Sequence, residues 1–212
     1  MEKIINSILA LFLIIILLPV FIVISIFILI EDGRPIIFKQ ERFGKDMKRF
    51  DMYKFRSMKV HKEDDFAVTK ENDNRILITG KFLRRTRLDE IPQLFNILFG
   101  QMAFVGVRPD IYAHIKYYNE NQKKEYSKYS PGIYGLAAYV YRNEGLILNN
   151  VKDKKDYYLN YLLVEKCKLN KIYNDNKCFV LDIKILLASF NLKKYIKIKE
   201  VVYKPKLFCG KK

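Results

Sequence analysis

From Ile4 to Ile30 the chain runs IINSILALFLIIILLPVFIVISIFILI without a single charge. As a straight helix at 1.5 Å per residue this stretch would be about 40 Å long, enough for a bilayer core. It exceeds an ordinary signal-peptide core and lacks a small-x-small cleavage site before Glu31, so it is expected to stay attached. Pro19 sits near its middle and removes a backbone donor, which predicts a bend at Leu18-Pro19. Two shapes follow: a kinked helix that crosses the bilayer, or a broken helix that dips in and returns to the face it entered.

Beyond residue 30 the pattern shortens and becomes polar. Gly33 to Pro35 reads as a turn, and Ile36-Ile37-Phe38 as a short strand entering a polar loop. A second strand is predicted over Phe50 to Met58. Residues 59–75 are polar and without periodicity, which predicts a surface loop. Then Ile91, Leu94, Phe95 and Leu98 fall at i, i+3, i+4 and i+7, one face of a helix that Gly100 stops. Pro92 must lie in its first turn, so the helix is expected to start near Asp89. Asp89 and Glu90 then have two readings open: a cap and first-turn acids favoured by the helix dipole, or an ionised site drawing phosphate with the help of nearby arginines.

Gln101 to Val105 reads as a strand that ends at Gly106 and presents Arg108 on a turn held by Pro109. Ser130 to Leu136 is a further turn, and a strand-like run precedes Tyr141-Arg142-Asn143. The residues after 30 read as one domain, without repeats or a flexible linker.

Composition narrows the partners. Thirty-nine Lys and Arg against 23 Asp and Glu give a formal +16, which favours polyanions: nucleic acid, anionic lipid or phosphorylated substrates. The basic excess follows residue 30 and places residues 31–212 on the cytoplasmic side. Cys167, Cys178 and Cys209 have no C-x-x-C spacing and, with His61 and His114, give no zinc pattern. Reduced thiols are expected.

Several blocks in order carry a resemblance: Pro35 to Gly44 (PIIFKQERFG), Tyr53 to Met58 (YKFRSM), Leu83 to Asn96 (LRRTRLDEIPQLFN), Met102 to Pro109 (MAFVGVRP), Pro131-Gly132-Ile133, and Leu181 to Leu186 (LDIKIL), behind the proline-broken apolar start. Together they resemble the bacterial sugar transferase family, the monotopic polyprenyl-phosphate phosphoglycosyl transferases. The resemblance implies a helix-rich α+β protein, with a re-entrant membrane helix over residues 1–30, broken at Leu18-Pro19, and a small catalytic domain over residues 31–212. It implies transfer of a phosphosugar from a UDP-sugar to a polyprenyl phosphate such as undecaprenyl phosphate, with Mg²⁺, as a first step of bacterial surface-glycan assembly. Asp89 matches the family nucleophile and Glu90 its dyad partner, and both are implied as metal ligands. Lys54, Arg56, Arg84, Arg108, Pro109 and Arg142 match substrate-binding positions. The implied setting is the cytoplasmic face of the inner membrane, with the bilayer and downstream glycosyltransferases as partners and no nucleic acid.

Some positions depart from the family pattern. The usual Gly-Pro-Arg-Pro is Gly106-Val107-Arg108-Pro109, which predicts a less rigid arginine turn. Tyr134-Gly135-Leu136 replaces Thr-Gly-Trp, Tyr141 stands where Gly is usual, and a Lys-rich stretch near 162–177 looks inserted. An inactive family member acting as a scaffold, and a membrane-tethered basic protein that binds nucleic acid or lipid, are the rival readings.

Overall fold

The computed structural model describes residues 2–59 and 74–189. The predicted surface loop at 59–75 therefore falls almost wholly outside the described residues. On either side of it Met58 and Ile76 form an antiparallel bridge. The described chain groups into two compact units, residues 1–42 with 49–101, and residues 43–48 with 102 onward.

The first unit is built on α1 (Glu2–Asp32), a 31-residue helix that continues through Pro19. The apolar run thus forms one helix by its backbone bonding, not two pieces. It is long and apolar enough to span a membrane. Most of its large side chains, from Ile4 to Ile30, are exposed, as a lipid-facing surface requires. Its remaining stripe is packed. Ile24 and Ile28 form a buried cluster with Phe55 of β2 (Arg49–Phe55) and Leu83 of α2 (Ile78–Thr86), edged by Phe21, Leu88 and Ile91. Nearer its start, Ala10 is fully buried and the Ser7 hydroxyl donates to the Ile97 carbonyl of α3 (Gln93–Leu98) at 3.3 Å. β2 pairs with β1 (Ile37–Phe43) in a two-stranded sheet. β1 is longer than the polar sequence after Phe38 suggests, because strand pairing satisfies its backbone whatever its side chains.

Two side chains lock the end of α1 to this unit. Arg56, nearly fully buried, donates to the carbonyls of Asp32, Gly33 and Arg34 at 2.8, 2.8 and 3.2 Å and pairs with the Asp32 carboxylate at 3.2 Å. A cation among the last carbonyls of a helix satisfies acceptors that have no partner within it. In the other direction, the Glu31 carboxylate accepts from the backbone N–H groups of Ile78 and Thr79, capping α2, whose own cap residue Leu77 cannot.

The second unit centres on two short parallel strands, β3 (Ala103–Val105) and β4 (Gly132–Tyr134), with Ala103 opposite Gly132 and Val105 opposite Tyr134. Their approach is closer than a side chain permits: a Cβ on Gly132 would lie 2.2 Å from the Gly106 nitrogen. Around them fold α4 (Glu120–Tyr126), opened by a capping box of Asn119 and Gln122, α5 (Leu136–Val140), α6 (Glu144–Asn149), α7 (Lys154–Tyr157), α8 (Leu163–Asp175) and α9 (Phe179–Ser189). A π-helical turn, Tyr158–Leu162, joins α7 to α8.

One sequence expectation changes here. The strand-like run before Tyr141 is the helix α5, since a short apolar run suits a buried helix equally well. The Lys-rich stretch is mostly α8, which buries Leu163, Leu169 and Tyr173 while its lysines pair with Glu144, Glu165 and Asp175. It packs on α4 and α5 as part of the unit's core. The thiols also differ from the reduced set expected. Cys167 is free, with burial pushing it up to about 11, whereas Cys178 is disulfide-bonded.

Candidate active site

Asp89 and Glu90 lie in a 3₁₀ turn, Leu88–Glu90, between α2 and α3. Arg87 makes the turn possible. It ends α2 in the left-handed region, φ 59° and ψ 18°, and redirects the chain. A non-glycine residue held there stores local strain, a feature that clusters at functional sites. The cap positions are Arg87 and Pro92, so Asp89 stands within the helical run and not at its cap. Both acids do fall in the first turn of that run, where the helix dipole favours them.

Glu90 is mostly buried, and Lys54 on β2 reaches it with Nζ 3.3 Å from Oε1. A carboxylate taken out of water needs such a partner. Arg84, in the last turn of α2, directs one guanidinium nitrogen to the Met58 sulfur at 3.1 Å, while Arg85 beside it is exposed. The first unit therefore brings Lys54, Arg84, Asp89 and Glu90 onto two short, connected segments. Arg56 is different: its guanidinium is engaged at the end of α1.

The remaining expected residues belong to the second unit. Arg108 donates to the Ile133 carbonyl at 2.9 Å, and its own carbonyl accepts from the Tyr126 hydroxyl at 2.7 Å. The Val107 N–H, which a proline would lack, donates to the Ser130 carbonyl at 3.1 Å. Behind the turn, the Asp110 carboxylate accepts from the hydroxyls of Tyr118 and Tyr158, both at 2.9 Å, and meets His114 Nδ1 at 3.1 Å. Burial, with Asp110 adding to it, raises both phenols well above their ordinary range, so they remain donors at neutral pH. The arginine turn is thus fixed by hydrogen bonds where the family pattern uses a proline. Pro109 is buried, and Arg142 is exposed with its guanidinium 5.6 Å from the Tyr139 ring.

For a divalent ion the donor set is small. Among the described residues no group of three or more His, Cys, Asp and Glu side chains gathers at one place. Asp89 and Glu90 offer two adjacent carboxylates. Mg²⁺ commonly takes one or two carboxylates and fills its octahedron with substrate phosphates and water, so the pair fits that ion and not a protein-caged metal.

The sequence profile of bacterial sugar transferases matches residues 1–194. The chain belongs to the bacterial sugar transferase family. It is 40% identical over 148 residues to the UDP-glucose:undecaprenyl-phosphate glucose-1-phosphate transferase of Klebsiella pneumoniae, covering 68% of this chain and 32% of that protein. A putative undecaprenyl-phosphate N-acetylgalactosaminyl 1-phosphate transferase of Bacillus subtilis (strain 168) is 49% identical over 94 residues, 44% of this chain and 52% of its own. The uncharacterized sugar transferase EpsL of the same strain is 33% identical over 160 residues, 76% of this chain and 70% of its own. The chain thus spans about a third of the Klebsiella protein, about half of the first Bacillus protein and more of the second.

Proposed function

We propose that this sugar transferase moves a sugar phosphate from a UDP-sugar to undecaprenyl phosphate or a similar polyprenyl phosphate, releasing UMP. The observation that carries the reading is the dyad turn: a strained Arg87 presents Asp89 and Glu90, one of them held by Lys54, beside the end of an apolar helix fit for a bilayer. The names of the relatives supply the substrate class.

A carboxylate oxygen of Asp89 attacks the phosphorus that bears the sugar. The P–O bond to the nucleoside monophosphate breaks, UMP departs with that electron pair, and an aspartyl-phosphosugar remains. An oxygen of the polyprenyl phosphate then attacks the same phosphorus, Asp89 leaves as a carboxylate, and polyprenyl-diphosphate-sugar is formed. Lys54 holds Glu90 in place for metal binding or proton transfer. Arg84 supplies a guanidinium group for phosphoryl oxygens. Mg²⁺, held by Asp89 and Glu90, would neutralise charge on the diphosphate.

The re-entrant path for α1 belongs to the same reading. Its support is that both halves of the helix touch α3: Ser7 bonds Ile97, and the Phe21 ring lies 5.8 Å from that of Phe95. A crossing helix would also take Ser7 and Ala10 through about 30 Å of hydrocarbon, away from the unit joined to Asp32. A bend at Pro19 fits contacts of both halves with one short helix, and a re-entrant helix of this kind keeps both of its termini on the cytoplasmic face.

The test is UMP release by purified protein in nanodiscs with undecaprenyl phosphate, Mg²⁺ and a panel of UDP-sugars. Asp89→Asn should abolish release in a protein that still melts cooperatively. Wild-type turnover in that variant would rule out the covalent route.

A further inference from the structure

Gln93 is completely buried at the start of α3, yet neither Nε2 nor Oε1 of its amide has a hydrogen-bond partner among the described residues. Asn96, equally buried one turn later, is the opposite case. Its oxygen accepts from the Tyr53 N–H at 3.0 Å, and its nitrogen donates to the Asp51 carbonyl and to Gln101 Oε1 at 2.6 and 2.7 Å. Asn96 has an evident structural task, tying α3 to β2. Gln93 has none.

A buried amide that meets no partner has given up water without replacement, and native folds rarely retain one. An apolar side chain of similar volume would suit the position better if packing were its only role. The retained amide therefore points to a partner that is not part of the protein.

Its place on the helix indicates which. The Glu90 N–H donates to the Arg87 carbonyl, Ile91 to Leu88, Leu94 to Ile91 and Phe95 to Pro92, all three-residue steps. Such steps bring residues three apart into line. Glu90 and Gln93 thus succeed one another on one face: a carboxylate held by Lys54 and an unmatched amide.

We infer that Gln93 is a substrate-binding residue that hydrogen-bonds the phosphosugar half of the donor. An amide needs both an acceptor and a donor in its ligand. A phosphosugar supplies both on neighbouring atoms, a phosphoryl oxygen for Nε2 and a sugar hydroxyl for Oε1. The amide is also neutral, so it reads the ligand without disturbing the charge balance of Lys54 and Glu90. The inference rests on the dyad reading given above.

Gln93→Met separates the possibilities, with melting temperature, steady-state UMP release and ligand-induced thermal shifts all measured in nanodiscs. Loss of an unmatched amide should leave the melting temperature unchanged or raised. At the same time kcat/KM for the UDP-sugar should fall tenfold or more, and the shift produced by UDP-sugar with Mg²⁺ should shrink while that produced by UMP with Mg²⁺ is kept. A fall in melting temperature of several degrees would make Gln93 a packing residue and overturn the inference. So would UMP release and thermal shifts equal to wild type. Asp89→Asn, run in parallel, keeps the two readings apart: if it turns over normally the dyad reading fails, and if it is inactive while Gln93→Met is normal only the Gln93 inference fails.

Discussion

Lys54 and Arg56 stand two residues apart in one motif, and their surroundings divide their tasks. Lys54 Nζ lies 3.3 Å from the Glu90 carboxylate, beside Asp89 in sequence. Arg56 meets three carbonyls and a carboxylate at the end of α1. Removing one partner of a buried ion pair commonly costs about 3 kcal/mol or more. Arg56→Leu is therefore expected to lower unfolding free energy by about 3 kcal/mol in denaturant titrations in micelles. Lys54→Met should keep most of that stability but lose about 10²-fold in UMP release, the usual effect of deleting one electrostatic group at a reacting centre. The reverse pattern would exchange the two roles. Nothing in the sequence separates them, because Asp32, Gly33 and Arg34 reach Arg56 only through the fold. Asp89 and Glu90 were legible as a pair, whereas the unmatched state of Gln93 depends on what surrounds it in space.

At the scale of elements, the joint between α1 and α2 has a titratable pin. Burial raises the Glu31 carboxyl, but hydrogen bonds from the Thr79 side chain and the Thr79 and Ile78 backbones, with Lys59 assisting, outweigh it and leave it below its ordinary value of 4.5. A carboxyl depressed in the folded state adds stability above its unfolded pKa, and that part is lost as pH falls through the folded pKa. Wild type and Glu31→Gln, melted between pH 7 and 3, should therefore differ most at neutral pH and converge in acid. A constant difference would show that the charge of Glu31 is irrelevant to the cap. The elements themselves were unequally readable. α1 and α3 follow from apolar runs and periodicity, but α2 exposes Ile78 and Phe82 and takes its cap from a residue in α1, so its local sequence carries little signal. β4 hides in a turn-like Pro131-Gly132 because its glycine is required by the close approach to Gly106.

For the whole molecule the decisive question is which side of the bilayer holds the amino terminus. In a variant without native cysteines, Glu2→Cys should resist an impermeant thiol reagent in intact spheroplasts and react after permeabilisation. Labelling before permeabilisation would establish a crossing helix. Adding Pro19→Ala should expose part of this cysteine and reduce UMP release, as the helix straightens and Ser7 leaves Ile97. The formal +16 suits either an anionic membrane face or a nucleotide substrate.

The contacts of α1 with α3 also set an order of events during synthesis. α1 leaves the ribosome first, while Phe55, Leu83, Phe95 and Ile97, on which Phe21, Ile24, Ile28 and Ser7 settle, are made later. Until then the helix lacks these partners, so the interior of the first unit closes only after residues 55–97 have been made. Cutting away residues 1–30 to obtain a water-soluble enzyme would uncover the apolar side of β2, α2 and α3, and such a fragment should aggregate.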